Sequence, residues 1–165
     1  MAKTDRKKAQ GDSGNRVIAT NRKARHDYLL EDTFEAGMVL TGTEIKSIRA
    51  GNVNIRESYV QPKGGEVWLL NCHISPYDPA SRENHDPRRP RKLLLKKREI
   101  ARLESRVTER GYTVVPTRLY LKNGRAKIEI ALARGKRQYD KRTSLSQTQS
   151  NRDIERAIKE RSRDY

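Results

Sequence analysis

The sequence predicts a mainly β protein, an antiparallel barrel or sandwich with helices covering its ends, on three observations. Two β-hairpin signals stand at Gly64-Gly65 and Asn123-Gly124. The segments beside them alternate apolar with polar residues, as strands with one buried face do. Strand-like runs also outnumber helical ones. A chain of 165 residues suits one domain with tails.

Taken in order, residues 1–16 are rich in Lys, Gln, Gly and Ser without periodicity and are expected to form a mobile basic arm. The domain begins near Val17. Between His26 and Leu40, strand-like residues interrupted by Glu31 and Asp32, and again by Glu35 to Gly37, predict two short strands around a bend. Residues 43–49, with Ile45 and Ile48 three apart, predict a short helix stopped by Gly51. Residues 58–61 and 66–74 flank the first hairpin turn. Residues 75–91 hold four of the six prolines and are expected to be a surface loop.

Within 96–110, Ile100, Leu103 and Val107 stand at i, i+3 and i+7 before Gly111, which predicts an amphipathic helix. Residues 112–122 and 125–133 then form the stronger hairpin, because Asn-Gly suits the positive φ values of a type I′ turn. A two-residue turn dictates the pairing: Lys122 faces Arg125, Leu121 Ala126, Tyr120 Lys127, Leu119 Ile128, and Arg118 Glu129. Leu119, Leu121, Ile128 and Ile130 share the core side. Arg118, Tyr120, Lys127 and Glu129 share the other, where a ring beside cationic groups can stack on a base and bind phosphate. The same four residues also fit an ordinary solvated strand face.

Charge narrows the class of partner. The chain carries a net +16, and residues 81–142 hold 20 basic against 7 acidic residues, whereas residues 31–80 are net negative. A localised cationic excess is the footprint of a polyanion, since each Lys or Arg that meets a phosphate releases counterions. A solvated basic surface is the plainer reading, but self-repulsion at this charge favours nucleic acid. Arg102, Arg106 and Arg110 recur every four positions as a basic stripe, and residues 87–92 form an extended basic strip. Leu93-Leu94-Leu95 cannot all face a core from one strand, so one Leu is expected to point outward.

Other classes recede. There is no apolar run of membrane-spanning length and no secretory signal, so a soluble cytoplasmic protein is expected, with no membrane partner. Cys72 is the single cysteine, which precludes an internal disulfide, and beside three histidines it gives no zinc-ligand spacing. No Walker loop, HExxH, GxSxG or deaminase pattern occurs, and His26, His73 and His85 lie in unrelated settings. No catalytic residue, metal or cofactor is expected.

The last 30 residues change character. After the strand come Gly135, Lys136, Arg137, Gln138, Tyr139, Asp140, Lys141 and Arg142, followed by a polar stretch and then Ile154, Ala157, Ile158 and Arg161 at helical spacing. Such a helix buries too little apolar surface alone, so disorder in isolation and ordering on a surface are expected. Fully helical, residues 143–165 would reach about 34 Å.

Six separated motifs, in order and spacing, resemble the SsrA-binding protein (small protein B) family, partner of transfer-messenger RNA in bacterial ribosome rescue. They are Asn21 to His26, Phe34 to Gly37, Gly42 to Ser47, Arg91 to Leu95, Asn123-Gly124, and Gly135-Lys136 with Asp140 to Arg142, and the match covers residues 17–142. The resemblance implies an oligonucleotide-binding-like (OB-like) barrel at 17–134 that grips the tRNA-like domain of that RNA through Asn21, Glu35, Leu94 and Lys127. It also implies a tail, 135–165, that enters the vacant decoding centre and mRNA channel of a stalled small subunit. Its decoding-centre part would be Gly135, Lys136, Tyr139, Asp140, Lys141 and Arg142, with Lys136, Lys141 and Arg142 on rRNA phosphates and Tyr139 stacked on a base, and a helix carrying Ile154 and Ile158 would follow. Elongation factor Tu with alanyl-charged RNA is the further implied partner, and the protein would act as a monomer on the RNA. A ribosomal protein and an RNA-modifying enzyme are the competing readings.

Overall fold

Asn123 and Gly124 adopt positive φ values of 52° and 74° and form the tight turn that joins β8 (Tyr112–Lys122) to β9 (Arg125–Gly135). All five cross-strand pairs expected from a two-residue turn are present, from Lys122 opposite Arg125 to Arg118 opposite Glu129. The structure is a computed structural model describing residues 15–80, 84–109, 111–136 and 138–161. Ahead of this hairpin run β1 (Asn15–Thr20), α1 (Arg22–Asp27), β2 (Tyr28–Met38), α2 (Gly42–Arg49), β3 (Val53–Asn54), β4 (Tyr59–Lys63), β5 (Glu66–Leu70), β6 (His73–Ile74), β7 (Arg91–Leu94) and α3 (Lys97–Thr108).

Six strands close into an antiparallel ring in the order β8, β4, β5, β7, β2, β9 and back to β8, while β1 pairs with the far half of β8 and β3 with β6. This is the OB-like barrel with flanking helices. Its core draws on Val67 and Leu69 of β5, Leu93 of β7, Leu119 of β8 and Ile128 and Ile130 of β9, with Ile48 and Leu103 supplied by α2 and α3. The predicted helices at 43–49 and 96–110 and both predicted hairpins are therefore where periodicity and turn chemistry put them.

Two expectations on the N-terminal side are corrected. His26 does not begin a strand: it lies in α1, a six-residue helix whose N-cap is Asn21 and whose buried residue is Ala24. Ala24 packs on Val115 and Ala133, so α1 covers the outer face of the barrel there. The two short strands expected around a bend are instead one strand, β2, because the interruption at Glu31 and Asp32 is absorbed as a register irregularity between Leu30 and Thr33. A second irregularity lies between Pro116 and Arg118 of β8, where a proline, having no N–H to give the ladder, is tolerated.

Residues Gln138–Arg161 form one helix, α4, where the sequence leads to an expectation of disorder in the free protein. Its support is local. Gln149 Nε2 donates to Asp153 at 3.1 Å one turn away, and the side chains from Leu145 to Arg156 are all exposed, so that stretch draws little on tertiary burial. Residues 1–14 of the expected arm lie outside the described residues. Among the described residues no helix is long and apolar enough to cross a membrane.

Candidate nucleic-acid interface

The candidate interface is a single row of residues crossing four strands. Gly37 of β2 pairs with Leu94 of β7 on one side and Lys127 of β9 on the other, and Lys127 pairs with Tyr120 of β8. Their neighbours Ala36, Leu93, Ile128 and Leu119 point into the core, so strand alternation turns this row outward. Leu94 is 53% exposed and is the member of its leucine run that faces water. Glu35 shares the face, two residues before Gly37. Glu35, Gly37, Leu94, Lys96 and Lys127 line one open groove, and Gly37, Leu94 and Lys127 continue into a second one beside Ile45 and Arg125.

The Glu35 carboxylate is fixed from the side of β8. The Tyr120 hydroxyl donates to Glu35 Oε2, and Lys122 Nζ lies 3.4 Å from both carboxylate oxygens. The Tyr120 hydrogen bond, with Lys122 and Lys127 nearby, outweighs partial burial and holds the Glu35 carboxyl below its ordinary range. The Tyr120 phenol moves upward in turn, through burial and then through Glu35. Lys127 makes no ion pair with a carboxylate among the described residues, whereas Lys122 and Arg118 do.

Several sequence-predicted site residues take other places. Tyr120 is on the expected face but only 4% exposed, so its ring offers no stacking surface, and its hydroxyl is given to Glu35. Arg118 pairs with Glu129 at 3.0 Å and lies over the Tyr120 ring at 5.4 Å, which is the ordinary internal arrangement left open by the sequence. Asn21 is 2% exposed and its side chain is fully committed. Its Oδ1 accepts from Ala24 N–H at 3.1 Å, and its Nδ2 donates to the carbonyls of Pro116 and Ile55 at 3.0 and 3.3 Å. It ties α1 to β8 as a cap and bridge within the fold.

Two arginines of the helix stripe and two of the basic strip are also paired within the fold. Arg102 bonds Asp32 at 2.6 Å, and Arg106 bonds Glu31 and Glu109 at 3.1 Å, so the helix stripe clamps α3 onto the irregular stretch of β2. Arg110 lies outside the described residues. In the strip at 87–92, Arg91 is wholly buried on Glu44, with Arg89 on the same carboxylate. Sequence could not assign these, because an arginine meant for a phosphate and one meant for a carboxylate look alike.

At the root of the tail, Gly135 ends β9 opposite Tyr28. Lys136 donates from its backbone to Asp27 O at 3.1 Å and from Nζ to Arg25 O at 3.1 Å, so α1 sets where the tail departs. Tyr139, Asp140, Lys141 and Arg142 fall in α4, and their side chains, like that of Ile158, lie outside the described residues; Ile154 is exposed. Sequence reasoning missed Gly37, Lys96 and Arg125. The i, i+2 relation of Glu35 and Gly37 was the available signal, since it puts both on one face of any strand.

A family model described as SmpB protein matches residues 18–160. An SsrA-binding protein of Roseiflexus sp. (strain RS-1) is 58% identical over 94% of this chain and 99% of its own length. One from Thermobifida fusca (strain YX) is 54% identical over 94% and 98%. A solved structure described as "tmRNA-SmpB: a journey to the center of the bacterial ribosome" superposes with a TM-score of 0.63 at 46% identity, covering 78% of this chain and 94% of that one.

Proposed function

The chain belongs to the SmpB protein family, and from that membership we propose that it binds the tRNA-like domain of transfer-messenger RNA and delivers it to stalled ribosomes for trans-translation. The observation that carries the reading is the outward row Leu94, Gly37 and Lys127 with Glu35 beside it: an apolar anchor, a residue without a side chain, a cation without an ion pair among the described residues and a carboxylate on one groove. RNA read in sequence or shape offers splayed bases, ribose hydroxyls and phosphates. Leu94 meets a base face, Lys127 a phosphate, and Glu35 accepts from an amino, imino or 2′-hydroxyl group.

The division of labour follows the chain. Residues 17–134 hold the RNA and stand in for a missing anticodon arm, with the arm at 1–16 adding diffuse attraction. Residues 135–165 probe the decoding centre and the empty mRNA channel, with Lys136, Lys141 and Arg142 on rRNA phosphates and Tyr139 stacked on a base. Elongation factor Tu brings the alanyl-charged RNA, and one copy of the protein serves each RNA. The protein's part is binding, in the cytoplasm; it speeds no covalent step.

The test is recovery and sequencing of the RNA that co-purifies with the protein. A tRNA-like transcript in near one-to-one yield supports the proposal, and a mixture without enrichment overturns it. Sedimentation of the protein with every ribosome in growing cells, independent of that RNA, would support the ribosomal-protein reading instead.

A further inference from the structure

Asn123 and Gly124 serve the fold as a turn, and the same two residues hold a reactive arrangement that the fold does not use. Asn123 is the one asparagine of the chain followed by glycine. Both residues are exposed, and the Asn123 carboxamide has no hydrogen-bond partner among the described residues. Asn21, Asn71 and Asn84, by contrast, are bonded at both ends of their amides. Space beside Gly124 is open, with no atom within 4 Å of where a Cβ would stand. In a two-residue turn the ladder bonds run between the flanking pair, here Lys122 and Arg125, which leaves the Gly124 N–H outside them. Arg49 Nη2 donates to Gly124 O at 3.3 Å, so three cations surround the turn.

We infer that Asn123 is a self-modification site, where intramolecular deamidation converts the turn into aspartate and isoaspartate forms that bind RNA more weakly than the parent. The Gly124 nitrogen, its proton passed to a solvent base, attacks Cγ of Asn123. A C–N bond closes a five-membered imide, and the Nδ2 group leaves as ammonia. Water then opens the imide at one carbonyl or the other, giving aspartate or isoaspartate. Water and solvent base are the only co-reactants, and nothing is oxidised or reduced. Glycine suits the attacking position because a Cβ there would crowd the ring. Arg49, Lys122 and Arg125 favour first the anionic nitrogen and then the product carboxylate. Ring closure swings the peptide bond toward the Asn123 side chain, which the tight turn resists, so the reaction proceeds through local opening of the hairpin end.

Given the reading of the neighbouring groove as an RNA contact, each product acts on binding by its own route. Gly124 and Arg125 line the same recess as Gly37, Leu94 and Lys127. Aspartate keeps the turn, because Asp-Gly suits type I′ as Asn-Gly does, but it sets a carboxylate where phosphates approach. Isoaspartate carries the backbone through its β-carbon and adds one atom to a turn without slack. The pairs that the turn dictates, Tyr120 with Lys127 among them, then lose their register. RNA seated against Gly124 and Arg125 holds the hairpin end shut, so free protein is modified and bound protein is spared.

The experiment incubates the full chain, folded, at mildly alkaline pH, alone and with a saturating tRNA-like transcript. Residue-resolved mass spectrometry and the isoaspartyl methyl-acceptor assay follow the modification. Asn123 is expected to gain the deamidation mass about tenfold faster than Asn52, which is exposed but followed by the β-branched Val53. Bound transcript should slow the gain about tenfold by holding the closed state. Asn123→Gly preserves the turn and should bind RNA as the parent does while forming no methyl-accepting group at this position. Freshly purified Asn123→Asp, which isolates the charge, should bind the transcript about threefold more weakly. Aged parent should lose affinity in step with its mass gain, and aged Asn123→Gly should keep it. Equal rates at Asn123 and Asn52 overturn the site, and undiminished affinity in protein modified at Asn123 overturns its effect on RNA. A rate unchanged by saturating transcript overturns the protection. If fresh parent binds no tRNA-like transcript, the proposed function fails while the mass gain at Asn123 still supports the site.

Discussion

Arg91 Nε lies 2.9 Å from Glu44 Oε1, and neither side chain has any surface in water. Arg89 Nη2 reaches the other oxygen at 2.7 Å, the Thr41 N–H donates to it at 2.9 Å, and Arg91 Nη1 donates to Cys72 O at 2.6 Å. One carboxylate thus joins α2, the proline-rich loop and β7, and Arg91 carries the connection on to the Cys72 carbonyl between β5 and β6. A buried ion pair stabilises little against an apolar replacement of both partners, but removing one partner leaves the other charge stranded. Arg91→Met should therefore cost about 3–5 kcal/mol in denaturant unfolding, and Arg91→Lys should recover little because an ammonium cannot make the forked contacts.

The same carboxylate gives an acid dependence with a definite sign. Burial raises the Glu44 pKa, but hydrogen bonds from Arg89, Thr41 and Arg91 outweigh it, and the carboxyl stays below its ordinary value of 4.5. A depressed folded-state pKa stabilises fully above the unfolded value and is lost as pH falls through the folded one. Stability of the parent should therefore fall as pH drops below about 4.5. In Glu44→Gln, less stable throughout, this part of the acid limb should be missing, as unfolding midpoints between pH 3 and 6 would reveal.

Asn21 yields a prediction that separates support from contact. Its amide closes α1 and bridges to β8 without reaching the surface, so Asn21→Ala should lower stability by about 1–2 kcal/mol as a lost buried N-cap does. RNA affinity, measured well below the unfolding temperature, should change less than twofold. A large affinity loss in a fully folded variant would show that Asn21 meets RNA after all.

Much of this was legible in the chain, for reasons that differ by element. Asn123-Gly124 specifies a turn, and a two-residue turn leaves one register, so the outward position of Lys127 followed from counting. Leu94 followed from the impossibility of burying three consecutive leucines on one face. What stayed hidden depended on contacts distant in sequence. Arg91 finds Glu44 across 47 positions and Tyr120 finds Glu35 across 85, and no local pattern marks either pairing. Short α1 was missed because six mostly charged residues carry no apolar period; its only cue was an Asn before Arg-Lys-Ala-Arg.

Lys127 and Arg102 should differ in their response to salt. Lys127 has no ion pair with a described carboxylate, whereas Arg102 is held by Asp32 at 2.6 Å. Lys127→Ala should shallow the log–log salt dependence of RNA binding by about 0.7–0.9, one phosphate contact's worth. Arg102→Ala should leave the slope unchanged and reduce stability by less than about 1 kcal/mol, as an exposed pair does. Equal slopes for Lys127→Ala and the parent would place Lys127 off the interface.

Truncation after Arg142 tests whether barrel and tail have separate tasks. The groove of Glu35, Gly37, Leu94 and Lys127 lies on β7, β2 and β9, whereas α4 leaves from the end of β9 beside α1 and has its described side chains in water. The side chains from Leu145 to Arg156 are all exposed, so removing residues 143–165 should move the unfolding midpoint by less than a few degrees and keep affinity for a tRNA-like transcript within about twofold. Tagging on stalled ribosomes should be lost, because a segment able to reach about 34 Å into a channel is gone. Measured together, RNA affinity and tagging should therefore part company in the truncated protein; a parallel loss of both would mean that the tail also holds the RNA.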